Sequence, residues 1–192
     1  MKKIFLLTLM TSVYCWAGFN IEPSVGYKNS KLKMTDLTNS TTEFQMNGMQ
    51  YGLKLGVSSP LGITLDVQGL QSQGKAQMTP DLGFNPEYNH TTGLALIGVS
   101  AMGILKIHLG YIFMNDLEVK STDTFNGFKL KGQGYQAGIT TYLFPRVGLS
   151  AIYNVNQFNK ISGAAFTNGD ALDTYYNKID SQDFGLQLSV LF

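Results

Sequence analysis

The last ten residues, DFGLQLSVLF (183–192), alternate between apolar and polar side chains along most of their length. Every second position is apolar: Phe184, Leu186, Leu188, Val190 and Phe192. The positions between them are polar or glycine, except for Leu191. A period of two is typical of a β-strand with one apolar and one polar face. We therefore predict a terminal strand, and the fold depends on what each of its faces contacts.

The first seventeen residues, MKKIFLLTLMTSVYCWA, have the three-part pattern of a secretory signal peptide. Two lysines precede an apolar run from Ile4 to Leu9, and cleavage after Ala17 would leave small residues at the −3 and −1 positions. A membrane anchor is the alternative, but the apolar run is too short to span a bilayer and has no stop-transfer flank. We predict that residues 1–17 are a signal peptide and that residues 18–192 form one domain.

The composition argues against several classes of protein. The only cysteine, Cys15, belongs to the predicted signal, so the mature chain has neither a disulfide nor a thiol nucleophile. Without Lys2 and Lys3, the 14 basic residues fall to 12, against 13 acidic residues. No basic patch indicates a nucleic-acid partner. No mature segment has the apolar length of a transmembrane helix.

Alternating segments like the terminal one recur along the whole mature chain. The predicted strands are 19–28, 44–57, 62–72, 91–101, 104–114, 129–144, 147–158 and 179–192. Short turns are predicted near 58–61, 101–103 and 144–147, and long polar loops at 29–43, 73–90, 115–128 and 159–178. The strand at 91–101 is apolar or small on both faces, so its register stays open. The connections alternate strictly between short and long.

The two faces of the predicted strands differ in charge. The apolar faces of the other seven strands carry no charge, apart from Lys129, Lys131 and Asp180 at the loop ends. The opposite faces carry Glu22, Lys54, Asp66, Lys106, His108 and Asp183. Eight strands enclose an interior only wide enough for side chains, which bulky apolar residues on every strand would crowd. We predict that the apolar faces contact lipid and the charged faces point inward.

Aromatic residues near the ends of the predicted strands fit the interfacial girdles of a membrane barrel. They are Phe19, Tyr27, Phe113, Phe144, Phe158, Phe184 and Phe192. This girdle and the apolar faces explain why an aromatic residue ends the chain.

The mature chain resembles the small eight-stranded outer-membrane β-barrels of bacteria, of the OmpA transmembrane-domain, OmpX and OmpW kind. The resemblance rests on the signal, on the alternation of short turns and long loops, and on the terminal strand from Phe184 to Phe192. It does not point to one subfamily. It implies an all-β, antiparallel up-and-down transmembrane barrel in the outer membrane, with short periplasmic turns, long extracellular loops and both termini in the periplasm.

The resemblance also implies partners. The terminal strand, with Phe184, Leu186, Leu188, Val190 and Phe192, looks like the signal read by the barrel-assembly machinery. Outer-membrane lipids and lipopolysaccharide would surround the barrel, which is expected to be a monomer without a cofactor.

Inward charges of both signs predict a closed interior. Strands one, two and three are neighbours, so Lys54 is expected between Glu22 and Asp66, with Lys106 reaching across the interior. His108 is expected to join the same polar network. Because an unpaired charge is costly in a confined space, we predict a charge-balanced plug without a catalytic role; the alternative is four charges solvated independently in a wet interior.

An enzyme is not expected. Some barrels of the resembled kind modify lipid A with His, Ser and an acidic residue near the outer rim. Here His90 is the only candidate base, and Ser72, Asp81 and Glu87 lie near it in the sequence without a diagnostic spacing.

No metal site is expected either, because the two histidines are isolated and no dense carboxylate cluster is present. Asp116 with Glu118, and Asn168-Gly169-Asp170, are interpreted as loop residues, with weak cation binding as the alternative. Met46, Met49 and Met102 are interpreted as bilayer or packing residues.

Three functions stay open. The first is a structural or surface-interaction barrel with a plugged interior. The second is a narrow channel or a binding site for small solutes, apolar ones included. The third is a secreted calycin-like barrel that binds a ligand in an apolar interior.

Overall fold

A computed structural model describes residues 18–79, 85–101, 104–122, 126–163, 166–171 and 175–192, and for 166–171 it describes the backbone alone. The predicted signal peptide lies outside these residues, and so do Asp81 and Met102. The predicted boundary between residues 17 and 18 therefore stays a prediction.

The described part of the chain forms nine β-strands. They are β1 (Gly18–Asp36), β2 (Thr41–Ser58), β3 (Ile63–Thr79), β4 (Glu87–Ala101), β5 (Leu105–Val119), β6 (Phe128–Phe144), β7 (Val147–Gly163), β8 (Phe166–Ala171) and β9 (Tyr176–Val190). None of the described residues belongs to a helix that is long and apolar enough to cross a membrane.

Eight of these strands close into a ring. From β1 to β7 each strand pairs antiparallel with the next, and β9 pairs with both β7 and β1. β8 pairs with β7 between Lys160 and Gly163, just beyond Phe158, where the pairing of β7 with β9 stops. Beyond β9, the Phe192 N–H donates to the Ile21 carbonyl at 2.9 Å, so the last residue is held in the sheet. The predicted eight-stranded antiparallel barrel is confirmed.

The barrel has two unlike ends. Residues 18 and 192 and the connections β2–β3, β4–β5 and β6–β7 lie at one end, which we call the turn end; the other is the loop end. At the loop end the strands run further than predicted, and the first connection is 37–40 instead of 29–43. There the Asp36 carboxylate accepts the N–H of Thr38 at 2.8 Å and that of Ser40 at 2.9 Å.

The predicted loops are largely strand because the alternation continues with its faces exchanged. On β1 the outward side chains are apolar as far as Tyr27, whereas Lys31 and Lys33 further along also point outward. At that level the inward side chains, Leu32 and Met34, are buried and apolar. The polarity of the two faces therefore inverts along the strand. The prediction of a loop over the whole of 29–43 was wrong, because it took these outward polar residues for loop residues.

The outward apolar side chains of the turn-end half form a continuous band, which we call the belt. Its large exposed members include Ile21, Val25, Tyr51, Leu53, Leu65, Val67, Ile97, Val99, Ile107, Leu109, Tyr135, Ile139, Leu149, Tyr153, Leu186 and Leu188. The predicted outward orientation of the apolar faces is confirmed for the belt. The open register of β4 is settled as well, since Ile97 and Val99 point outward and Leu94 and Leu96 inward.

Candidate functional site

Two buried ion pairs occupy the interior near the turn end. The Lys54 ammonium lies 2.6 Å from one oxygen of the Glu22 carboxylate. The other oxygen of this carboxylate accepts a hydrogen bond from the Ser189 hydroxyl at 2.6 Å. The Lys106 ammonium lies 2.7 Å from Asp66. All four charged side chains are buried, which makes a charged partner for each of them essential.

Strand register explains both pairs. Glu22 on β1 and Lys54 on β2 are directly opposite each other. Asp66 on β3 and Lys106 on β5 are separated by β4, which places Gly98 between them. A Cβ atom on Gly98 would lie 3.0 Å from Lys106 Cε and 2.8 Å from the Thr64 hydroxyl. The missing side chain thus leaves room for Lys106 to reach its partner.

The pairing differs from the one expected. Lys54 was predicted to lie between Glu22 and Asp66, but no ion pair joins Lys54 to Asp66 in the described part of the chain. Lys106 reaches past one strand instead of across the whole interior. His108 is also inward and buried, and its Nε2 accepts a hydrogen bond from the Gln136 amide at 3.3 Å.

A small apolar layer lies on the inner side of β3, β4 and β5, further toward the loop end. It consists of Leu70, Leu94, Leu96 and Ile112, all of them buried. On these three strands they lie between the turn-end ion pairs and a second polar cluster.

The second cluster is built around Lys28 on β1 and Asp183 on β9. The Lys28 ammonium lies 2.9 Å from Asp183 and also donates to His90 Nδ1. His90 in turn donates through Nε2 to the Asn115 side-chain oxygen. Asp183 further accepts the Asn156 amide at 2.9 Å, together with the hydroxyls of Ser30 and Ser181. Each charge in this buried cluster is therefore paired.

Sequence reasoning missed Lys28 as a site residue. Asp183 was placed on the inward face, and Lys28 shares the parity of Glu22 on the same strand, so the alternation could have found it. It was overlooked because the strand was predicted to end at residue 28, where a lysine is easily taken for the start of a polar loop.

The predicted acid–base residues do not meet on one accessible face. His90 is buried in the interior, and Ser72 faces the same interior from β3. Glu87 is exposed on the outer wall and pairs with Lys120 at 2.8 Å. β4 begins at Glu87 and its alternation turns His90 inward, so His90 lies in the loop-end half of the interior.

A larger apolar cluster, which we call the loop-end core, fills the interior beyond Lys28 and Asp183. It consists of Leu32, Met34, Phe44, Met46, Ala76, Tyr88, Leu117, Val119, Phe128, Leu130, Phe158, Ile161 and Ile179. The Phe44 and Phe128 rings meet edge to face, with centroids 5.7 Å apart. Phe158 was predicted in an outer girdle, and this was wrong, because its even number on β7 places it inside with Asn156.

No group of three metal-ligating side chains occurs among the described residues. Glu118, one of the candidate carboxylates, pairs with Lys129 at 3.0 Å on the outer wall. The side chains of Asn168 and Asp170 lie outside what the structure describes. Met46 lies in the loop-end core and Met49 in the belt.

At the turn end the interior opens into a vestibule of about 610 Å³. Asn20, Ser58, Thr64, Ser100 and Tyr142 line its wall, and Glu22 and Lys106 lie at its inner limit. From there to the loop end, the interior holds the two ion pairs, the Lys28–Asp183 cluster and the loop-end core in succession.

The residues of the predicted assembly signal all lie on the outer face. Phe184, Leu186, Leu188, Val190 and Phe192 are exposed along β9 and the two residues after it. Their role in assembly stays a prediction.

Compared by sequence, the chain matches no protein-family model and no curated protein. Its structure is similar to that of Neisserial surface protein A, with a TM-score of 0.54, 16% identity, and coverage of 91% of this chain and 97% of the other. It is also similar to Ail, the attachment invasion locus protein of Yersinia pestis, in complex with the heparin analogue sucrose octasulfate (TM-score 0.55, 12% identity, 91% and 99% coverage).

The outer membrane protein OprG from Pseudomonas aeruginosa gives a TM-score of 0.51 at 11% identity, over 92% of this chain and 97% of that one. At such identities the similarity concerns the fold and leaves the subfamily open. The chain has the fold of the small eight-stranded outer-membrane β-barrels.

Proposed function

We propose that this protein is an integral outer-membrane barrel with a sealed interior, which serves a structural or surface-interaction role. The belt supports the membrane location. On β1 it runs from Phe19 to Tyr27, nine residues, which is close to the length of about 9–11 residues that a tilted strand needs to cross a bilayer. An apolar band of this extent, exposed to water, would favour aggregation.

The loop end faces the outside of the cell in this proposal, and both termini lie in the periplasm. The connections at the turn end are short, as they are on the periplasmic side of such barrels. The outer wall of the loop end is polar and carries lysines and carboxylates, including the Lys31–Glu43 pair at 2.7 Å. This water-exposed wall would be the surface offered to partners, as the word surface in the name of the Neisserial protein suggests for that relative.

The loop-end core is the observation that best supports a sealed interior. It places thirteen buried apolar side chains across the interior, directly beyond the buried Lys28–Asp183 pair. An ion crossing the barrel would have to leave water and pass both the apolar loop-end core and the buried Lys28–Asp183 pair, which makes conduction unfavourable.

Planar-bilayer recordings test this function. We expect no single-channel conductance from the refolded mature protein, and we expect a change in gel mobility between unboiled and boiled samples as the mark of a stable barrel. Regular single-channel steps from the wild type would contradict the sealed interior, and absence of the mobility change would contradict the membrane barrel.

A binding site for small polar solutes is the second candidate. The 610 Å³ vestibule favours it, because its wall carries hydroxyl and amide groups and its inner limit carries both signs of charge.

The calycin-like alternative requires apolar side chains inside at the level of the belt, where Glu22, Lys54, Asp66 and Lys106 are inside instead. In the proposed membrane setting the barrel-assembly machinery, lipids and lipopolysaccharide are the partners, and the protein acts as a monomer without enzymatic activity.

A further inference from the structure

The wall of β5, β6 and β7 carries an apolar groove within the belt. The groove is a shallow depression with a volume of about 310 Å³. Ala137 on β6 and Ala151 on β7 form its floor, because they are small where neighbouring outward side chains are large. Leu109, Ile139 and Tyr153 stand around them, each in register with one of the two alanines.

Two lysines lie on the same strands beyond the groove. Lys131 on β6 and Lys160 on β7 are directly opposite each other and exposed, and neither forms an ion pair with a described residue. Asp116 is in register with Lys131 from β5 but makes no ion pair with it. Like charges directly opposite each other on a sheet repel, so an anion held between these two ammonium groups would stabilise the wall.

The groove and the lysine pair are spaced as the parts of a lipid are. Lys131 is six residues from Ala137, which is about 20 Å along the strand. Between them, Gln133 accepts the Tyr111 hydroxyl at 2.7 Å, and the Tyr111 and Tyr135 rings lie 5.7 Å apart. Tyrosine at this level is typical of the boundary between hydrocarbon and headgroups. The wall thus passes from an apolar groove through an interfacial layer to a cationic pair.

We propose that this wall binds lipid A of lipopolysaccharide, with one acyl chain in the groove and one phosphate between Lys131 and Lys160. The proposal rests on the outward orientation of the loop end given above, since lipid A forms the outer leaflet. Ala137 and Ala151 accept the chain by leaving space, and the phosphate removes the repulsion between the two ammonium groups.

Native mass spectrometry of the refolded mature protein tests the site with three probes: lipid A, dephosphorylated lipid A and phosphatidylglycerol. We expect wild type to retain lipid A at least tenfold better than either other probe. The K131Q/K160Q variant should lose that preference. The K33Q/K75Q variant removes the same charge from β1 and β3 and should keep it. The A137L/A151L variant should fold, by its mobility change on heating, and retain less lipid A.

Several results would overturn the site. They are equal losses in the two lysine variants, unchanged retention after the groove is filled, or a wild-type dimer that the A137L/A151L variant abolishes, which would show a second copy in the groove. A preference for phosphatidylglycerol would assign the wall to the other leaflet and contradict lipid A. Conductance in a planar bilayer would contradict the sealed interior alone and would leave these binding results standing.

Discussion

Tyr27 and Lys28 are adjacent on β1, but one side chain points outward and the other into the interior. Tyr27 is exposed in the belt, whereas Lys28 is buried inside against Asp183 and His90. An ammonium group in such a place is tolerated only with its charge paired and its donors used. At the scale of the residue, the barrel therefore depends on matched pairs of charges, and the pairs make specific predictions.

Removing one member of the Glu22–Lys54 pair should harm the protein more than removing both. We expect Lys54→Met to lower the free energy of unfolding by about 3–5 kcal/mol, because the Glu22 carboxylate is left buried without its partner. The Lys54→Met/Glu22→Leu double variant should recover part of this loss. Urea unfolding of the refolded protein, followed by gel mobility, measures both variants.

The exposed Lys31–Glu43 pair is the matched control for this comparison. Its removal should leave the free energy of unfolding close to that of wild type, because an exposed ion pair is screened by water. If the Glu22 and Lys54 double variant is less stable than Lys54→Met alone, the two side chains are not energetically coupled as their 2.6 Å contact requires.

Glu43 offers a pH-dependent test outside the belt. Hydrogen bonds and charge from Lys31 and Lys33 hold the pKa of its carboxyl group below the ordinary value for glutamate. A lowered pKa stabilises the fold above the ordinary value, and this contribution disappears as the pH falls through the lowered one. A carboxyl NMR titration should show the low pKa in wild type and a rise in Lys31→Met. An identical pKa in the two proteins would show that Lys31 does not hold this carboxylate.

At the scale of the element, the sequence predicted the strands of the belt well and their far ends poorly. The turn-end limits of the predicted strands lie within a few residues of those of β2, β3, β6 and β7. The loop-end limits were missed because the outward residues there are polar, as loop residues are. The information was present in Leu32, Met34, Phe44 and Met46, whose period of two continues with the opposite face apolar.

The extended strands should contribute stability through the loop-end core. We expect Phe44→Ala to lower the free energy of unfolding by about 3–5 kcal/mol, because Phe44 is buried against Phe128. Gln45→Ala, one position away on the outer wall, should stay within about 0.5 kcal/mol of wild type. The same urea series compares the two. Equal effects of both changes would mean that these residues form a loop instead of a packed extension.

A charge in the belt should prevent stable insertion. Ile107→Arg is expected to cost about 2–4 kcal/mol near the middle of the bilayer, because Ile107 points outward on β5. Gln71→Arg, which also points outward but lies at the loop-end edge of the belt on β3, is the control and should refold nearly as well as wild type, because a charge costs little near the membrane interface. Refolding yields into lipid vesicles measure the difference. Full recovery of the Ile107→Arg variant would exclude lipid contact for this face.

At the scale of the whole molecule, the closed ring followed from the count and spacing of the strands, but the interior contacts did not. Lys54 and Glu22 are in register, yet the partner of Lys106 depends on the gap left by Gly98 on an intervening strand. His90 and Lys28 meet only because β1, β9 and β4 face one another across a narrow interior. Alternation predicts whether a side chain points inward or outward. Which inward side chains contact each other depends on their height along the barrel axis and on how the strands close into a ring.

The inversion of polarity between the belt and the loop-end half has a mechanical consequence, because it fixes the depth at which the barrel sits in the membrane. Nine residues of β1 in the belt, tilted as barrel strands are, span roughly 20–22 Å across the membrane. Sinking the barrel by one more pair of residues per strand would bring Lys31, Lys75 and Lys131 toward hydrocarbon, and raising it would expose Phe19 and Phe192 to water. A bilayer of another thickness must therefore thin or swell around the protein, which itself keeps its height.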